Sequence, residues 1–147
     1  MDIDGLGAYG IVFKVLVRGR GLYTAIVSSI LMTLLVILTY ERVSTYLLYL
    51  MVLPTALTSL VIDEDRITQF FNSGLIVGAS PKFFNNAIII ASLIYALIYS
   101  APYVVYYTLS HDATLILFVL MTVLLCDVAV LKTYLNAVKR GVIRLVM

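Results

Sequence analysis

Residues 63–86 read DEDRITQFFNSGLIVGASPKFFNN, the one long polar stretch lying between hydrophobic runs, and they hold three of the eight acidic residues: Asp63, Glu64 and Asp65. The acids come first and place Asp63 or Glu64 at the start of a short helix, where negative charge complements the positive end of the helix dipole. Ile67, Phe70 and Phe71 then share one apolar face at three- and four-residue spacing. Ser73-Gly74 is expected to break this helix. Ser80-Pro81 has the form of an N-cap followed by proline at the first helical position, where the missing N–H costs nothing. The stretch therefore reads as helix, turn and the start of another helix.

On both sides the chain is too apolar for a water-soluble domain. Of its 147 residues 63% are hydrophobic and only 12% charged, with a mean hydropathy of +1.08, the composition of an integral membrane protein. Four runs are long enough to cross a hydrocarbon core of about 30 Å, which takes roughly 20 residues of helix: 22–40, 43–62, 87–109 and 113–131. Glu41-Arg42 and Ser110-His111-Asp112 are short connections, so the runs pair as two antiparallel hairpins. The expected architecture is all-α, a single membrane domain with four transmembrane helices.

Of the ten lysines and arginines, Arg42 alone falls on the far side of this arrangement. Because lysine and arginine are retained on the cytoplasmic side, both termini and residues 63–86 are expected there, in a multi-pass protein of the cell membrane. Asp2 and Asp4 make the beginning acidic, and no small-residue cleavage site follows the first run, so that run is read as a retained anchor rather than a signal peptide.

Over residues 6–20, Leu6, Tyr9, Phe13, Leu16 and Val17 recur at helical spacing, with Lys14 and Arg18 on another face. This pattern predicts an interfacial helix against anionic lipid. Residues 132–147 repeat it: Leu135, Val138, Val142 and Leu145 alternate with Lys132, Lys139, Arg140 and Arg144, and this basic tail is expected to lie on the cytoplasmic leaflet.

Within the runs, Thr24, Ser28, Ser29, Thr33, Thr55, Thr58 and Ser59 are small and polar, suited to close helix approach and to hydrogen bonds between helices. Pro54 and Pro102 each remove a backbone donor and predict kinks. Tyr95, Tyr99, Tyr103, Tyr106 and Tyr107 form a stripe along the third run. Their hydroxyls and ring faces suit either a path for an amphipathic substrate or packing between helices, with Tyr106 and Tyr107 in an interfacial aromatic belt. Asp127 is the one acid inside a run and lies about one turn from the cytoplasmic boundary. Pairing with a base, proton coupling and a solvated or paired structural role are all open to it, the last fitting its position best.

No constellation supports catalysis. The single histidine, His111, has no patterned nucleophile around it, Cys126 is the only cysteine, and there is no glycine-rich phosphate loop. No cofactor, metal or nucleic-acid partner is expected.

A basic elbow, a first pair of spans, and an acidic transverse helix followed by a small-residue and proline turn resemble the coupling region of type-2 ABC exporter permeases. The Gly78-Ala79-Ser80 turn is similar to that of the MacB-like exporters. The resemblance implies a cytoplasmic ATP-binding subunit contacting Glu64, Asp65, Arg66, Phe70, Phe71, Gly78, Pro81 and Lys82, with a second membrane chain or a second copy completing the permease. Family members have six spans, of which four are matched here. The small four-span drug/proton antiporters carry a glutamate in their first span, and the first run here has no charge. The alternative expectation is a structural or accessory subunit of a larger respiratory or secretion complex; a self-sufficient small transporter ranks below both.

Overall fold

A computed structural model describes residues 19–39, 45–110 and 114–146. Residues 6–18 of the expected interfacial helix, and Glu41, Arg42, His111 and Asp112 of the two connections, lie outside the described residues.

Among the described residues the chain is all-helical: α1 (Arg20–Thr39), α2 (Thr45–Ile62), α3 (Glu64–Ile76), α4 (Pro81–Ser110) and α5 (Thr114–Val146). Three of these, α1, α4 and α5, are long and apolar enough to cross a membrane. At about 1.5 Å per residue the 20 residues of α1 span roughly 30 Å, the thickness of a hydrocarbon core. The 30 residues of α4 and the 33 of α5 are considerably longer than that. α2 is an uncharged helix of 18 residues, reaching about 27 Å.

α1 packs on α2 and α4, α4 on α5, and α5 on α2, so the four long helices close into a ring. The fifth, α3, packs against α5 at the end where α1 begins and α2 finishes. α4 is the central element, with 50% of its candidate span buried against 22% for those of α1 and α5. Large apolar side chains on the outer helices point away from the bundle, including Leu38, Tyr23, Leu117 and Leu125. An outward apolar surface of this kind is unfavourable in water and natural against lipid acyl chains.

Two helix boundaries depart from the hydropathy boundaries. α4 begins at Pro81 rather than Ala87, because Ser80 caps it: the Ser80 hydroxyl accepts from the Phe83 N–H at 3.3 Å, with Pro81 in the first turn. α5 runs unbroken past Leu131 to Val146, so residues 132–146 continue a membrane helix and do not form a separate tail. The hydrophobic run stops at Leu131, but a helix needs only a satisfied backbone and one buried stripe. Val119, Val123, Leu131 and Leu135 supply that stripe at four- and eight-residue spacing.

Ser73-Gly74 does not break α3, which continues to Ile76. The chain turns at Gly78, whose φ of +78° favours glycine. Its N–H donates to Leu75 O at 3.1 Å and that of Ala79 to Gly74 O at 2.8 Å, the pair of bonds of a Schellman motif. Gly74 has a different task. A Cβ there would come within 2.7 Å of the Phe84 ring, so the glycine makes room for that ring against α3.

The hydroxyl-bearing residues mostly bond within their own helices. Thr24 donates to Arg20 O, Thr33 to Ser29 O and Thr58 to Thr55 O, at 2.8–2.9 Å, since in an apolar medium the nearest acceptor for a short hydroxyl is the carbonyl one turn back. Ser29 crosses instead, donating to Ile98 O at 2.8 Å. Ile98 lies four residues before Pro102, and its carbonyl is the one left without a helical N–H partner by that proline. α4 remains helical through Pro102, and a neighbouring helix satisfies the group the proline releases.

Candidate functional site

Asp63 is the single residue between α2 and α3. It occupies the N-cap position of α3, and its carbonyl accepts from the Ile67 N–H at 2.9 Å, yet its side chain makes no cap bond to that helix. The carboxylate turns to α1, where Oδ1 accepts from the Arg20 N–H at 3.1 Å and Oδ2 from the Gly21 N–H at 2.9 Å. The start of α1 has no capping side chain of its own, Gly19 standing before Arg20. A carboxylate from 42 residues further along satisfies orphan donors there and sits at the positive end of the helix dipole.

The approach requires glycines. A Cβ on Gly19 would run into the Asp63 carboxylate, and one on Gly21 would run into the Ser59 carbonyl oxygen while lying 3.1 Å from the Tyr95 hydroxyl. Asp63, α1 and Tyr95 of α4 thus converge on one point.

α3 is fastened on its other side by four rings. Phe70 and Phe71 meet edge to face with centroids 5.6 Å apart, Phe71 and Phe84 at 6.0 Å, Phe83 and Phe84 at 5.8 Å, and Phe70 and Phe83 at 6.1 Å. Offset and edge-on pairs of this kind add to the burial energy. This corrects one expectation: Phe70 and Phe71 are buried in the chain's own core and are not presented to a partner. The physical reason is that Phe83 and Phe84, in the first turn of α4, lie opposite them and cover the apolar face of α3.

The outward face carries the acids and the helix end. Glu64, Asp65, Gly78, Pro81 and Lys82 are exposed and Arg66 is half-buried. Ile76 and Val77, which hydropathy alone does not distinguish from core residues, are 75% and 71% exposed at the tip of α3. The surface beside the turn is therefore acidic at one end and apolar at the other.

Tyr95, Tyr99 and Tyr103 all face the interior, and Tyr107 is exposed. The Tyr99 hydroxyl donates to Thr55 O of α2 at 2.8 Å and lies beside Ser59. All three rings are enclosed among the helices. Asp127 is fully buried, and neither carboxyl oxygen has a hydrogen-bond partner. The expectation of a solvated or paired acid does not hold, because Asp127 belongs to the same stripe as Val123 and Leu131 and so points into the bundle. The Ser92 and Tyr95 hydroxyls of α4 are likewise buried without partners. Tyr95 lies within electrostatic reach of Asp127, Asp63 and Arg66. Among the described residues no three or more His, Cys, Asp and Glu side chains group as a metal site.

The sequence alone does not single out Gly19, Gly21, Ser92, Phe83 or Phe84, and it marks Gly74 as a helix break where the structure uses it as room for a ring. Gly19-Arg20-Gly21 immediately before an apolar run is the visible trace of the close contact, and Phe83-Phe84 echoes Phe70-Phe71 across the turn.

No family model, curated protein or solved structure matches this chain.

Proposed function

We propose that the chain is a permease-like membrane subunit of an ATP-driven transporter, in which α3 receives force from a cytoplasmic ATP-binding subunit and passes it to the spans. In this reading α2 is a fourth span, an interfacial helix over residues 6–20 leads into the first span, and the chain sits in the cell membrane beside another membrane chain or a second copy of itself. Arg20, Arg66 and Lys82 lie at the α3 end. Lys132, Lys139 and Arg140 follow there, since Tyr134 of α5 is within reach of Glu64. That end is then cytoplasmic by the distribution of positive charge, as are both termini.

The observation that carries the reading is the double attachment of α3. One face is packed on α4 through the phenylalanine rings, and the residue before its first turn holds the start of α1. Movement of α3 cannot leave α1 and α4 in place. The resemblance of residues 63–86 to the coupling region of type-2 ABC exporter permeases supports the same role. The interior is filled by Tyr95, Tyr103 and Phe71, so a passage would form where this chain meets a neighbour.

The test is purification of the native complex in mild detergent, with the wild-type chain and with an Ile76→Asp/Val77→Asp variant. Both positions are exposed, so the variant keeps the fold. The expected result is an ATP-binding subunit that accompanies the wild type and is lost from the variant. Respiratory or secretion subunits in its place identify an accessory subunit of such a complex instead and refute the transporter reading.

A further inference from the structure

The Tyr95 hydroxyl is a buried donor without a hydrogen-bond partner, on a side chain that is 1% exposed. Its neighbours at the start of α1 define where it lies. Tyr95 OH, Asp63 Oδ2 and the Ser59 carbonyl oxygen are all within 3.1 Å of the point that a Cβ on Gly21 would occupy. Ser59 and Asp63 are 0% and 6% exposed, so the three oxygens are shielded from bulk solvent together.

One donor therefore stands beside two acceptors that it does not bond directly. Both acceptors have capacity for a further bond. Asp63 Oδ2 accepts from the Gly21 N–H at 2.9 Å, and a carboxylate oxygen has lone pairs for a second donor. Ser59 lies in the last turn of α2, where carbonyls run out of helical donors. The Asp63 N–H, four residues on, donates to Leu60 O at 3.2 Å.

Buried hydroxyls in native folds are nearly always paired. Two oxygens too far apart to bond are joined by one water when they stand roughly 4.5 Å apart, since each O–H···O bond is about 2.8 Å long. Water also matches the chemistry of this set. Its oxygen accepts from the Tyr95 O–H while its two hydrogens go to Ser59 O and Asp63 Oδ2, and about three bonds are usual for an internal water. A cation would offer the tyrosine O–H no acceptor, and an anion would meet two further acceptors. We propose that a single water molecule is bound at this junction, held by Tyr95, Ser59 and Asp63. It ties α4 to the carboxylate that holds the start of α1, which makes Tyr95 a positioning residue for the joint ahead of α3. The site is internal to the chain and does not depend on the identity of any partner.

The experiment compares crystal structures of the full chain and of Tyr95→Phe, grown from a lipid mesophase at a resolution that shows ordered water. The wild type should show one density peak within hydrogen-bond distance of all three oxygens, and the variant should lose it while its ring stays in place. Amide hydrogen exchange in detergent supplies the second readout. Exchange at Gly21 should be about fivefold faster in Tyr95→Phe, the effect of one hydrogen bond lost from the group that holds Asp63, with the middle of α1 unchanged. Three results overturn the proposal: no peak in the wild type, a Tyr95 hydroxyl bonded directly to Asp63 or Ser59, or a peak that persists in Tyr95→Phe. Equal exchange at Gly21 in the two proteins overturns the positioning role. Should Tyr95→Phe fail to fold, the wild-type map alone decides.

Discussion

Replacing Asp63 by alanine is expected to lower the stability of the bundle by about 2–3 kcal/mol. Two amide donors at the start of α1 lose their acceptor. The Gly21 N–H bond is buried, so its loss leaves a buried donor unsatisfied, a penalty of about 1–3 kcal/mol. The Arg20 N–H bond is partly buried and water can replace it in part, adding roughly 0.5 kcal/mol. Release of the carboxylate from its buried position offsets some of this, and the total agrees with the upper range for removing a helix N-cap. Asp63→Asn retains one acceptor oxygen and should cost about half as much. Gly21→Ala provides the sign test. Helix propensity alone favours alanine by about 1 kcal/mol, whereas the Ser59 carbonyl stands where the new Cβ must go and forces α1 off α2, so net destabilisation is expected. The assay is reversible unfolding of the purified chain in mixed micelles with increasing sodium dodecyl sulfate, followed by circular dichroism. An Asp63→Ala variant within 0.5 kcal/mol of wild type, or a Gly21→Ala variant more stable than wild type, would refute the link between α2 and α1.

The Ser29 hydroxyl and Pro102 should be energetically coupled. Ser29→Ala alone is expected to cost about 1 kcal/mol by stranding the Ile98 carbonyl, and less when Pro102→Ala restores a helical donor to that carbonyl; a double-mutant cycle by the same unfolding assay checks this, and additive effects would contradict it. Gly74→Ala is expected to destabilise by about 1–3 kcal/mol, since its Cβ would press on the buried Phe84 ring; truncating that ring in Phe84→Leu should relieve part of the penalty, measured as non-additivity.

The helical membrane class, the polar cross-piece and the Ser80-Pro81 helix start were all legible in the sequence, because each depends on the composition of a window or on residues within one turn. The purpose of Gly74 was not. Beside Ser73 it looks like a break, and only the position of Phe84 shows that its missing side chain makes room for a ring. Phe70 and Phe71 teach the same lesson. Their spacing marks an apolar face correctly, but spacing does not say whether such a face meets a partner or the chain's own Phe83 and Phe84.

Asp63 and Asp127 mark the division most sharply. The sequence by itself determined that the chain is a set of apolar helices interrupted by one acidic segment, since hydropathy and helix periodicity are summed over neighbours a few residues apart. The tertiary structure alone decided that the Asp63 carboxylate serves α1 rather than the helix it precedes, and that Asp127 points into the bundle with its oxygens unpaired. The physical reason is common to both. The energy of a charged side chain in an apolar medium is governed by the donors and charges brought to it through space, and these come from helices tens of residues away, whose arrangement is fixed by packing.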